Sequence, residues 1–249
     1  MKNSSSGSSK RGTAISTPVF YKDNTMKIPL SPRLKACKEL VSPGDRVADI
    51  GCDHGYLGIS LLKENIASFV FASDIREKPL ESAIRNAERF GVKEKMAFHL
   101  SDGVQNIPQE FDTLVCAGMG GDTMVSILEN APWLRDCKYR LILQCQTRVH
   151  TLRKYLSDNG WQICREILVR DGRFLYTVMN VSFEPGHPLK PAQYYFPPAL
   201  LDNPGPELEE YYRFVVQGLN NTGKHQDNSA ELDELYRIGK ELGFNNDEG

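Results

Sequence analysis

The stretch Val47-Ala48-Asp49-Ile50-Gly51-Cys52-Asp53-His54-Gly55-Tyr56 runs from a short apolar strand into a glycine turn and then into a helix that starts at Tyr56. A ligand at the strand's carboxyl end can approach such a turn closely, because glycine adds no side chain and tolerates tight backbone angles. The acids narrow the choice of ligand. Asp49 and Asp53 would repel a pyrophosphate, and the spacing Gly51-x-x-x-Gly55-x-x-Gly58 misses the GxGxxG dinucleotide pattern. A nicotinamide dinucleotide is therefore disfavoured.

Outward from this loop, apolar strands alternate with amphipathic helices, the pattern of a mostly parallel sheet covered on both faces. Strands are predicted near 46–50, 69–73, 96–100, 112–117 and 140–145. The clearest crossover helix runs from Lys78 to Phe90, with Pro79 at its start, Leu80, Ala83, Ile84 and Ala87 on one face, and Gly91 after it. A helix over 33–41 follows the Ser31-Pro32 cap, and another spans 149–159. Segments 161–169 and 174–183 flank Arg170-Asp171-Gly172-Arg173 and are read as an antiparallel hairpin that ends the sheet.

Successive strands end in acids. The second runs into Asp74-Ile75, where a carboxylate can take both hydroxyls of a ribose. The third runs into Ser101-Asp102-Gly103, where the carboxylate can accept from an adenine amino group and the glycine keeps the wall thin. Each acid alone could be a helix cap or turn former, but their ordered recurrence points to one nucleoside-like ligand. With Asp49 and Asp53 suited to an ammonium group and a sulfonium centre, that ligand is read as S-adenosylmethionine. The fourth strand ends in Ala117-Gly118-Met119-Gly120-Gly121, a loop without bulk that should border the acceptor; close helix packing is the plainer explanation of the same glycines.

The chain has 249 residues, 40% hydrophobic and 25% charged, with a net charge of −2, ordinary values for a globular protein. The ends differ in sign. Residues 1–40 hold a surplus of cations, among them Lys2, Lys10, Arg11 and Arg33, whereas residues 200–249 are strongly acidic. A polyanion should favour the N-terminal side. Six scattered cysteines show neither a CxxC pair nor zinc-like spacing, so no metal is expected. No apolar run is long enough to span a membrane, and a cytoplasmic location is expected. The serine-rich residues 1–25 read as a disordered tail, 26–184 as the α/β domain, 185–205 as a proline-rich connection and 206–249 as a helical, short coiled-coil-like element.

Four segments together carry a family resemblance: Leu30-Ser31-Pro32-Arg33-Leu34, Ala48 through Leu57, Ala117-Gly118-Met119-Gly120-Gly121 and Leu141-Ile142-Leu143-Gln144. From about Ile28 to Val181 the chain resembles the bacterial tRNA (adenine(22)-N1)-methyltransferase family. It departs where Cys145 stands in place of the family's usual proline. The resemblance implies a Rossmann-like class I methyltransferase fold, with a seven-stranded, mostly parallel sheet, an antiparallel final hairpin and a small C-terminal helical appendage. It implies S-adenosyl-L-methionine as donor and a tRNA adenine as acceptor. A monomer or weak dimer is expected.

The donor is then expected against Asp49, Gly51, Cys52, Asp53, Gly55, Tyr56, Asp74, Ile75, Asp102, Gly103 and Ala117. Asp53, His54, Gly118, Met119 and Gly120 are expected at the reacting centre. N1 already carries a lone pair, so alignment and negative charge matter more than a general base. Because N1 lies on the pairing edge, the base must be extruded, and Arg33, Tyr56 and Arg148 are expected to meet the RNA. Cys116, on a buried strand, reads as core rather than nucleophile. A methyltransferase acting on a small molecule or protein is the alternative within the fold; a non-catalytic RNA-binding module is the alternative outside it.

Overall fold

Five parallel strands, β1 (Arg46–Ile50), β2 (Phe69–Asp74), β3 (Met96–Leu100), β4 (Thr113–Met119) and β5 (Arg140–Cys145), join an antiparallel hairpin of β6 (Gln162–Asp171) and β7 (Phe174–Ser182) in the computed structural model. The order across the single sheet is β3-β2-β1-β4-β5-β7-β6. Residues 27–184, 186, 188–202, 204–222 and 227–244 are described; the expected tail, 1–25, lies outside the described residues.

Alternation along the strands divides the core in two. Val47, Val70, Ala72, Val115 and Ile142 face α1 (Pro32–Glu39), α2 (Tyr56–Lys63) and α3 (Glu77–Arg89). Ala48, Phe71, Leu114, Leu141 and Leu143 face α4 (Gly121–Glu129) and α5 (Val149–Asp158). Ser31 caps α1 by accepting the Leu34 amide, with Pro32 at the first helical position. The expected loop over 118–122 is shorter in the fold, because α4 already begins at Gly121 and anchors itself through buried Met124 and Leu128.

The proline-rich segment is more than a connection. Pro191 opens a 3₁₀ turn over Pro191–Tyr194, and Pro197-Pro198 open α6 (Pro198–Leu201), since proline suits a helix's first turn. Ala192, Phe196 and Leu200 are buried in a third cluster with α7 (Leu208–Thr222) and α8 (Ser229–Leu242), against which Leu168 and Leu175 of the hairpin also pack. The fully buried Arg153 of α5 ties these parts together. It donates to Glu166 Oε1 at 2.6 Å, to the carbonyls of Tyr194 and Tyr195 at 2.9 Å each, and to the Tyr211 hydroxyl at 3.1 Å.

Candidate functional site

β1 pairs with β2 on one side and β4 on the other, so crossovers leave it in opposite directions and a crevice opens at the strands' carboxyl ends. A cleft of about 580 Å³ lies there. The ends of β1, β2 and β4 and the turn after β3 all contribute to it, through Asp49, Asp74, Gly118 and Asp102 respectively.

Asp49 forms the cleft's deepest acid. It is 4% exposed, and its Oδ2 has no hydrogen-bond partner among the described residues. Burial pushes its carboxyl up to about 7; the Gly58 amide opposes the shift and Asp74 adds to it. A buried carboxylate oxygen left open toward a cleft is fitted to a cationic or hydrogen-bond-donating ligand group.

Asp74 is held more firmly. The Asp53 amide donates to its Oδ2 across 3.3 Å and the Arg76 amide to its Oδ1 across 3.0 Å, while each oxygen keeps acceptor capacity for a vicinal diol. Beside it, Ile75 is 62% exposed and lines the cleft with Ile127, Asp102 and Gly103. A β-carbon at Gly103 would lie 3.1 Å from Ile127 Cγ1, so glycine there preserves the width of an apolar slot for a flat ring. The cleft is thus built to take a cation, a diol and a planar heterocycle in sequence.

At the end of β4 the register slips between Ala117 and Met119, and Gly118 occupies the slip with φ +81°. Its amide donates to Oε1 of the buried Gln144 across 3.0 Å. Gln144 and Gln146 both line the cleft, yet neither was singled out as a site residue from sequence. The signal was the polar Gln144 directly after the apolar run Leu141-Ile142-Leu143 of β5.

Asp53 and His54 stand at the mouth, both more than half exposed, with His54 Nε2 3.6 Å from Asp53 Oδ2. Asp53 adopts φ +49°, a left-handed angle that turns the loop back over the cleft. Tyr56 lines the cleft and its ring lies 5.8 Å from that of His54. Arg33 also lines it, fixed by a 2.7 Å bond from Nε to Asp171 at the hairpin and by the Tyr176 ring 4.8 Å beneath its guanidinium.

The structure separates three expected residues from the cleft. Gly55 is buried, and a β-carbon there would come within 2.9 Å of Ala83 Cβ, so it serves the packing of α2 against α3. Gly120 is closed off by Thr147 Oγ1, and a β-carbon on its neighbour Gly121 would collide with the Arg148 carbonyl. The plainer explanation of the glycine run, helix packing, therefore holds for Gly120 and Gly121 but not for Gly118. Arg148 does not line the cleft; it pairs with Asp122 at 2.9 Å and borders an adjoining groove.

Burial pushes the Cys52 and Cys116 thiols up, and the neighbouring Asp49 adds to both shifts, which leaves neither as a ready nucleophile. Among the described residues no group of three or more His, Cys, Asp or Glu side chains is arranged to hold a metal ion, and no helix is long and apolar enough to cross a membrane.

A family model described as "Methyltransferase domain" matches residues 30–179. The chain is 35% identical over 139 residues to a Mycoplasma genitalium relative, covering 55% of this chain and 61% of that one. It is 31% identical over 154 residues to the tRNA (adenine(22)-N(1))-methyltransferase of Bacillus subtilis, covering 61% and 65%. The chain thus spans just under two thirds of the length of these curated relatives. A Streptococcus pneumoniae protein solved in complex with S-adenosyl-L-methionine superposes with a TM-score of 0.76 at 27% identity, over 84% of this chain and 99% of the other.

Proposed function

The chain belongs to the methyltransferase-domain family, and from that membership and the chemistry of the cleft we propose that it is a tRNA methyltransferase that transfers a methyl group from S-adenosylmethionine to N1 of adenine 22. One observation carries the reading: Asp49 near the end of β1, Asp74 at the end of β2 and Asp102 just after β3 line a single cleft. The donor itself supplies an electrophilic methyl on a sulfonium sulfur.

Each part of the cleft has a role in this reading. The open oxygen of Asp49 takes the donor's ammonium group beside Gly51, Cys52 and Ala117, Asp74 takes the ribose diol, and Asp102 with Gly103 and Ile75 takes the adenine. Gly118 and Met119 would border the donor's methyl group, on the side from which the acceptor N1 would approach. No residue has to remove a proton before attack. Asp53 places negative charge beside the acceptor ring as that ring becomes cationic, and His54 holds the mouth loop. Tyr56 and Arg33 meet the extruded base and its backbone. We further assign residues 26–184 as the catalytic domain and 206–249, whose described residues form α7 and α8, as an element that flanks the tRNA, in a cytoplasmic monomer or weak dimer.

Incubation of the purified chain with donor and unmodified tRNA, followed by nucleoside mass spectrometry and primer extension, tests this. N1-methyladenosine at position 22 is the expected product. Methylation of a different nucleoside, or none with the donor demonstrably bound, rejects the assignment.

A further inference from the structure

A second groove, of about 690 Å³, opens between the β5–α5 loop, the start of β7 and helix α7, and shares Gln146 with the donor cleft as a common wall. Two of the largest exposed apolar side chains of the described residues line it: Phe174, 52% exposed, from the hairpin, and Phe214, 70% exposed, from α7. Exposed rings gathered around one concavity mark a binding surface more than scattered ones do. The floor is aromatic too, for His150 and Tyr195 stack at 5.0 Å with 17° between planes.

Charge selects the occupant. Arg148 stands at the junction with the cleft, its backbone at φ +55°, and Arg173 lies 4.8 Å over the Phe174 ring at the hairpin end. The nearby acids are engaged elsewhere or lie below the floor: Asp122 pairs with Arg148 at 2.9 Å, Glu210 pairs with Arg170 of β6, and Glu231 of α8 adds to the upward shift that burial gives the Tyr195 hydroxyl. A ligand with flat apolar faces and an anionic backbone, entering from the cleft, satisfies both halves of this surface. Resting on the tRNA reading above, we propose that the groove seats a nucleobase next to the methylated adenine, stacked on Phe174 and Phe214, with the intervening phosphate at Arg148. Extruding one base leaves its neighbour unstacked on one face, and the groove offers that face a new partner. Arg148 thereby regains a role in RNA binding one nucleotide away from the reacting base.

The test uses the full chain with tRNA substrates that are abasic at one or the other neighbour of the target. Phe214→Leu and Phe174→Leu keep apolar bulk but lose the ring. Each is expected to raise KM for tRNA about tenfold, the scale of one lost base stack, with donor Kd and melting temperature unchanged. Phe214→Trp is expected to restore the wild-type KM. One of the two abasic substrates should show the same loss with the wild-type chain and no further loss with Phe214→Leu, because both remove one contact. Leucine variants with wild-type KM, or losses that multiply, overturn the groove assignment while leaving tRNA methylation intact. Absence of methyl transfer to tRNA by the wild-type chain overturns the parent reading and this one together.

Discussion

The backbone amide of Asp53 donates to Oδ2 of Asp74 across 3.3 Å, so the loop that ends β1 and the acid that ends β2 form one hydrogen-bonded unit. The two acids should nevertheless separate on substitution. Asp74→Ala removes the diol acceptor and leaves the Asp53 and Arg76 amides unpaired, so donor binding by calorimetry is expected to fall at least tenfold. Asp53→Ala keeps its amide and loses only an exposed carboxylate. Donor Kd should hold while kcat drops on the order of 10²-fold; parallel losses would make Asp53 a donor ligand instead.

Asp49 gives the protein a pH signature. Its carboxyl is raised from 3.8 to about 7 in the fold, so the folded state holds this proton more tightly than the unfolded chain does. Its contribution to stability is therefore greatest below about pH 3.8 and declines as pH rises to about 7, then stays level. A cationic donor needs the ionised form. Donor affinity is expected to strengthen roughly tenfold per unit as pH rises toward 7 and to level off above it. Asp49→Asn should bind weakly with no such slope, and a slope that survives the substitution assigns the proton elsewhere.

Gln144 holds the bulge at Gly118 in place. Gln144→Leu removes the acceptor from a positive-φ amide at the cleft, at an expected stability cost of about 1–3 kcal/mol in denaturant unfolding. Turnover should fall more than donor affinity, because Gly118 borders the acceptor side. Loss of stability with unchanged kcat would reduce Gln144 to a structural part.

Arg153 and Glu166 are both fully buried at 2.6 Å. Arg153→Ala strands the Glu166 carboxylate and frees the Tyr194 and Tyr195 carbonyls, so a loss of about 3–5 kcal/mol is expected by chemical denaturation. The double variant Arg153→Met with Glu166→Leu should recover part of it. No recovery would mean that the carbonyl and Tyr211 bonds, rather than the ion pair, dominate.

Much of this architecture is legible locally. The helix read over 78–90 is found at Glu77–Arg89, and the hairpin read around Arg170–Arg173 turns between Asp171 and Phe174. Both depend on side-chain periodicity and turn residues within a few positions of each other. The same holds for Asp49, Asp74 and Asp102, because a strand's end carries its acid to the cleft once the sheet forms.

Other features depend on partners far along the chain. Glycine spacing could not distinguish Gly118, which opens onto the cleft, from Gly120 and Gly121, which are packed against Thr147 and Arg148. Nor could it move Arg148 out of the cleft, since its left-handed backbone and its pairing with Asp122 arise where the β5–α5 loop meets the start of α4. The prolines of 185–205 punctuate the sequence, yet Phe196 is buried because α7 covers it. Residue type and period set the strands, the helices and the acids of the loop at Asp49–Tyr56. Contacts between distant segments decided which of those groups share a cavity, because sequence spacing carries no information about neighbours that only the folded sheet brings together.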